Sequence, residues 1–154
     1  MHLDIVQTNP VDRIIRPKQQ KPRKEKIALT KEELNKFLTL AKKDARPVLY
    51  TAWHTLAYTG LKRGELLGLE WSDIDFKNKT ISVSKTLVTI NGKLSTQSPK
   101  TKRSARTISL DDSTIQILKE WKLEQKKLFF KFGVKPTNIV LTNTKGGYYD
   151  FAHF

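Results

Sequence analysis

The stretch TGLKRGELLGLEWSDID, Thr59 to Asp75, decides how the rest of the chain is read. Gly60 ends one helical pattern, and a second short helix is expected directly after it. Lys62 and Arg63 then fall in the first turn of that helix. Cations there oppose the positive end of the helix dipole, at a cost of roughly a few tenths of a kcal/mol. Two cations in an unfavourable place are either part of a solvated face or directed at an anion such as phosphate. Leu66, Leu67, Leu69 and Trp71 supply apolar anchors for the segment, and Glu65 is placed to orient a nearby cation through an i,i+3 contact.

The surrounding composition favours the anion. In 154 residues there are 29 Lys and Arg against 15 Asp and Glu, a formal charge of +14, with a pI near 10.0. An excess of that size implies an acidic partner, nucleic acid first and an anionic membrane surface second. The hydrophobic content of 38% is that of a folded globular chain. No stretch is long and apolar enough for a membrane span, and MHLDIVQTNP lacks the basic-then-apolar order of a signal peptide. Cysteine is absent, which removes disulfides and thiolate metal sites, and His2, His54 and His153 have no ligand spacing. Neither metal nor organic cofactor is expected. A cytoplasmic nucleic-acid binder without membrane contact is the leading class.

Working outward toward the N-terminus, PVLYTAWHTLAYTG is apolar nearly all round and reads as a buried central helix, with His54 and Tyr58 as packed residues. Before it, LTKEELNKFLTLAKKD carries Thr30 and Glu33 in capping-box spacing and an apolar face of Leu34, Phe37, Leu38 and Ala41. The first 28 residues are dense in Arg16, Lys18, Lys21, Arg23 and Lys24 and broken by Pro17 and Pro22. Proline and like-charge repulsion favour an extended basic strap, either a loose end or a linker lying along a phosphate backbone.

Toward the C-terminus the period changes. KTISVSKTL alternates as a half-buried strand, VTINGKLST holds the tight-hairpin pair Asn91-Gly92, and RTISL reads as another strand. A long amphipathic helix is expected from Asp111 to Gly133, with Ile115, Leu118, Trp121, Leu128 and Phe132 buried. NIVLTN is expected to be a last short strand. The fold class is therefore α+β, mostly helical with a small antiparallel sheet. Between Asp75 and Asp111 there is no acidic residue, yet Lys77, Lys79, Lys85, Lys93, Lys100, Lys102, Arg103 and Arg106 all lie there. These side chains would line one rim of a three-stranded hairpin region and meet successive phosphates. The alternative is a solvated sheet edge guarded by lysines.

Taken together, AYTGLKRGELLGLEWSDIDF and the later SPKTKRSARTISL resemble the catalytic domain of the tyrosine recombinases, the phage-integrase family. The resemblance covers roughly Leu29 to Phe154, and residues 1–28 are similar to the end of the family's core-binding domain and the basic linker that follows it. It implies an enzyme of mobile elements that cuts and rejoins double-stranded DNA through a 3′-phosphotyrosyl bond, as a tetramer of protomers. Lys62 stands where the family has its first catalytic arginine, Glu65 matches its acidic helper, and Lys100 matches the hairpin lysine that protonates the leaving 5′ oxygen. Arg63, Lys85, Lys93, Lys102, Arg103 and Arg106 are then read as contacts to nucleic acid.

Two departures qualify this. Lysine is a point charge where arginine offers a planar fork. Arg63 would take over only if the helix start were rotated, since neighbours on a helix point about 100° apart. No histidine is followed three residues later by arginine, and Tyr50, Tyr58, Tyr148 and Tyr149 precede the place of the family's nucleophile. A chain of this kind is expected to be a fragment inactive on its own. The other readings are a non-catalytic DNA-binding regulator made from half an integrase, and a basic RNA-binding protein. The last would want aromatics exposed on its strands, and these strands offer none.

Overall fold

A computed structural model describes residues 28–98 and 105–149. Arg16, Lys18, Lys21, Arg23, Lys24, Lys100, Lys102 and Arg103 lie outside them. Helix α1 (Lys31–Asp44) starts as its sequence requires. The Glu33 amide donates to Thr30 Oγ1 at 3.2 Å, and the Thr30 amide donates to Glu33 Oε2 at 2.8 Å. Leu38 and Ala41 face inward. Phe37 is partly exposed instead and leans on Trp53, with ring centres 5.2 Å apart. Helix α2 (Pro47–Thr59) opens on a proline whose missing N–H is not needed there and closes on Gly60 at φ 62°, the left-handed conformation glycine adopts freely. His54 is buried as expected, but Tyr58 is about half exposed and lies flat on the His54 ring. It falls at the helix end, where neighbours no longer cover it.

Helix α3 is only Arg63–Leu67. It is pressed against strand β3 (Thr86–Ile90) through two glycines. A Cβ on Gly64 would stand 2.5 Å from Thr86 Oγ1 and 2.9 Å from the Leu87 carbonyl, and one on Gly68 would meet the Leu87 amide at 3.0 Å. A 3₁₀ turn, Trp71–Asp73, follows.

The strands do not form one hairpin region. β1 (Ile74–Asp75), β2 (Thr80–Val83) and β5 (Arg106–Ser109) make one antiparallel sheet in the order β1-β2-β5. β3 and β4 (Lys93–Gln97) make a separate two-stranded one. The break falls at Ser84-Lys85, where the Lys85 ammonium is tied to Glu70 and Asp73 and the chain is turned onto α3. The β3–β4 turn is as expected, with Asn91 and Gly92 both at positive φ (50° and 74°).

Helix α4 (Asp112–Phe132) is N-capped by Asp111, which accepts the Thr114 amide at 2.6 Å, and ends at Gly133 with φ 63°. Its inner face is Ile115, Leu118, Trp121, Gln125 and Phe129. Phe132 is exposed and Leu128 only partly buried, because the last turn overruns the core. The segment 138–142 is not a strand. It makes isolated bridges, Glu70 to Ile139 and Thr142 to Tyr148, although Val140 and Leu141 are fully buried.

Main-chain bonds from Leu69, Trp71 and Tyr149 satisfy part of that segment, and side chains supply the rest. Trp121 Nε1 donates to the Val140 carbonyl at 2.7 Å. Gln125 Nε2 donates to the carbonyls of Ile139 (3.1 Å) and Val140 (2.9 Å) and to Thr142 Oγ1 (3.0 Å), while its Oε1 accepts Trp71 Nε1–H at 2.9 Å. Gln125→Leu keeps the volume but strands the Trp71 donor and removes the amide from two carbonyls. A loss of roughly 2–4 kcal/mol is expected, since each buried unsatisfied group costs about 1–3 kcal/mol. Urea denaturation monitored by tryptophan fluorescence measures it, and a loss below about 0.5 kcal/mol would mean water replaces the amide at little cost.

Candidate nucleic-acid interface

Lys62 is the N-cap of α3, with extended backbone at φ −70° and ψ 150°, and Arg63 is the first helical residue. Both side chains are exposed. Among the described residues, neither has a carboxylate within ion-pair distance.

What fixes the cap is Glu65. Its Oε2 accepts the Lys62 backbone N–H at 2.8 Å, so the expected i,i+3 contact reaches the Lys62 main chain rather than its ammonium. The cation that Glu65 holds is Arg106. Nη1 and Nη2 of the guanidinium donate to Oε1 and Oε2 at 2.8 and 2.9 Å, a fork on a fork. The Glu65 side chain is 10% exposed and that of Arg106 37%, so the carboxylate is the more enclosed partner. The Arg106 guanidinium holds the Glu65 carboxyl below its ordinary range; burial pushes the other way, and the Lys62 amide assists the lowering.

Arg106 and Lys85 were both expected on phosphates, and the structure gives them acidic partners. Lys85 Nζ lies 3.0 Å from Glu70 Oε2 and 3.0 Å from Asp73 Oδ2. Burial pulls the Lys85 ammonium down, and the hydrogen bonds from Glu70 and Asp73 outweigh it, leaving its pKa raised. Lys79 likewise pairs with Asp112. The window from Phe76 to Leu110 contains no acid, but folding brings acids to it from α3, from the 3₁₀ turn and from α4. Lys93, at the β3–β4 tip, is exposed. Of the expected contacts that are described, Lys62, Arg63, Lys77 and Lys93 are thus the cations whose side chains have no acidic partner among the described residues.

Glu70 and Asp73 carried no role in the sequence reading. Their signal is the i,i+3 pair itself, since Asp73 Oδ2 accepts the Glu70 amide at 2.8 Å, and Asn138 Nδ2 donates to Glu70 Oε2 at 3.1 Å. A groove of about 630 Å3 between α1, α2 and α4, lined in part by Tyr50, His54 and Tyr58, includes none of these four cations. Burial lowers the His54 pKa, Asp111 raises it and Lys42 lowers it, with burial dominant. Among the described residues no cluster of His, Asp or Glu could hold a metal ion, and no helix is long and apolar enough to cross a membrane.

Residues 28–145 match the phage integrase family. The chain is 34% identical over 136 residues to the ICEBs1 integrase of Bacillus subtilis (strain 168), covering 88% of this chain and 36% of that protein. It is 41% identical over 99 residues to a XerC-like tyrosine recombinase of Caldanaerobacter subterraneus, covering 58% of this chain and 24% of that one. Among solved structures it superposes on the Tn1549 transposon integrase in complex with transposon right end DNA. The TM-score is 0.73 and the identity 26%, over 94% of this chain and 46% of that one. The chain therefore spans between about a quarter and a half of the proteins it matches.

The Glu65–Arg106 pair gives stability a signature in acid. A carboxyl whose pKa is depressed on folding contributes stability that is present above its unfolded pKa, near 4.3 for Glu, and is lost as pH falls through the folded value. Thermal melts of the wild type from pH 6 to pH 3 should fall below about pH 4.3, and Glu65→Gln should be less stable at pH 6 with a shallower acid limb. Parallel acid limbs would place the acid sensitivity in other carboxyls.

Proposed function

The chain belongs to the phage integrase family, and on that premise we propose that it supplies the phosphate-gripping half of a site-specific recombinase's catalytic domain. Residues 29–154 are that partial domain and residues 1–28 the basic linker before it. The observation that carries the reading is the contrast among the cations. Arg106, Lys85 and Lys79 are held by carboxylates, whereas Lys62 and Arg63 stay exposed on a backbone fixed by Glu65. A rigidly based cation with no ion pair among the described residues is available to an external phosphate. Double-stranded DNA as partner agrees with the solved complex of the Tn1549 integrase.

In the intact enzyme a tyrosine oxygen attacks the scissile phosphorus and the bond from phosphorus to the 5′ oxygen breaks. A 3′-phosphotyrosyl link forms, and Lys100 gives its proton to the departing 5′ oxygen; rejoining runs the same steps in reverse. Lys62 supports the negative charge that builds on the phosphate oxygens, as a point charge in place of a fork. Further protomers of the same enzyme assemble on the DNA, and the work is done in the cytoplasm. A second reading has one observation in its favour. With Lys62 in place of the family's arginine the grip is weaker in the transition state, which suits a DNA-binding regulator as well as an enzyme.

Duplex binding by the wild type and by the Lys62→Ala, Arg63→Ala, Lys100→Ala triple variant, each at several salt concentrations, tests the grip. Each phosphate contact removed should lower the slope of log K against log salt by about 0.9. The triple variant should therefore bind more weakly and with a slope shallower by roughly 2–3. An unchanged slope would make these cations a solvated face.

A further inference from the structure

We propose that Arg106 is a positioning residue for Lys62, acting through Glu65, and not itself a phosphate ligand. Two hydrogen bonds to one carboxylate engage both terminal nitrogens of its guanidinium. The same carboxylate oxygen that faces Nη2 also accepts the Lys62 amide. The order of contact runs from β5 through one enclosed carboxylate to the residue that caps α3. Arg106 is paired in register with Val83 at the end of β2, so its base is a sheet and not a free loop. A rigid base and a bidentate fork together fix the Glu65 rotamer, and that rotamer fixes the direction in which the chain enters α3 at Lys62.

Charge makes the dependence sharper. Glu65 already feels the Lys62 charge. With Arg106 absent, its enclosed carboxylate lacks a counter-ion, and the Lys62 ammonium at the cap of the same helix is three residues away in sequence. Lys62 would then turn inward to Glu65 and away from any external anion. Arg106 thus keeps Lys62 available as well as in place.

The DNA arm of the test rests on the proposed phosphate role of Lys62; the exchange arm does not. In the whole chain, Arg106→Gln should speed hydrogen exchange at the Lys62 amide by about tenfold or more, with the α4 amides unchanged. Arg106→Lys, which keeps the charge and loses the fork, should fall between, and it serves if the Gln variant does not fold. In duplex binding, Lys62→Ala and Arg106→Gln should each weaken affinity, and the double variant should be no weaker than the worse single one. Unchanged exchange at Lys62 overturns the proposal, and so do fully additive losses of affinity, which would make Arg106 an independent phosphate contact. If Lys62→Ala alone leaves binding untouched, the phosphate role of Lys62 fails and the exchange result alone decides the positioning role.

Discussion

A polar group taken out of water must be given a partner, and in this domain Gln125 meets that requirement for several elements together. Its amide, 2% exposed as a residue, joins α4 to the Trp71 indole and to the carbonyls of Ile139 and Val140. Trp121 donates to the same Val140 carbonyl from one turn earlier on the helix. Val140, Leu141 and Thr142 can therefore sit in the core without being a strand, because side chains meet the Ile139 and Val140 carbonyls and the Tyr149 amide meets that of Leu141. The Trp71 amide completes the link by donating to the Asn138 carbonyl at 2.7 Å. Lys122 lies over the Trp71 and Phe76 rings, so the indole is held at its face as well as at its edge. What Gln125 anchors is the end of the same segment that begins with Lys62.

Glu65 repeats the arrangement at the other end of that segment, with a charge in place of an amide. An enclosed carboxylate is costly unless matched, and the match comes from a sheet strand and from the cap of its own helix. The result separates two kinds of cation that look alike in sequence. Those beside an acid from another element become part of the frame. Lys62 and Arg63, without one among the described residues, stay exposed. The glycines of α3 serve the same end, since β3 could not approach the helix this closely across a side chain at Gly64 or Gly68.

Local rules carried much of the fold. The Thr30–Glu33 box, Gly60, the Asn91-Gly92 turn, the helix start at Asp111 and Gly133 are each decided within a few residues, and each stands where the sequence places it. The α+β class and the family followed from these elements and from two motifs. The sheet was misread as one unit because alternation gives a strand its faces but does not choose its neighbour, and β2 pairs with β5 across the intervening hairpin. NIVLTN was misread because a buried apolar run has the same pattern whether it extends a ladder or makes isolated bridges completed by side chains.

Residue order alone sets the helix starts and ends, the basic excess and the presence of Lys62, Arg63 and Glu65 in one short segment. Which of the described cations have an acidic partner is settled by packing. Arg106 meets Glu65 across 41 residues, and Trp71 meets Gln125 across 54. Propensity and capping act over a single turn, whereas ion pairs and buried hydrogen bonds form between whichever groups packing brings within about 3 Å. A window empty of acids in sequence is therefore not empty of acids in space.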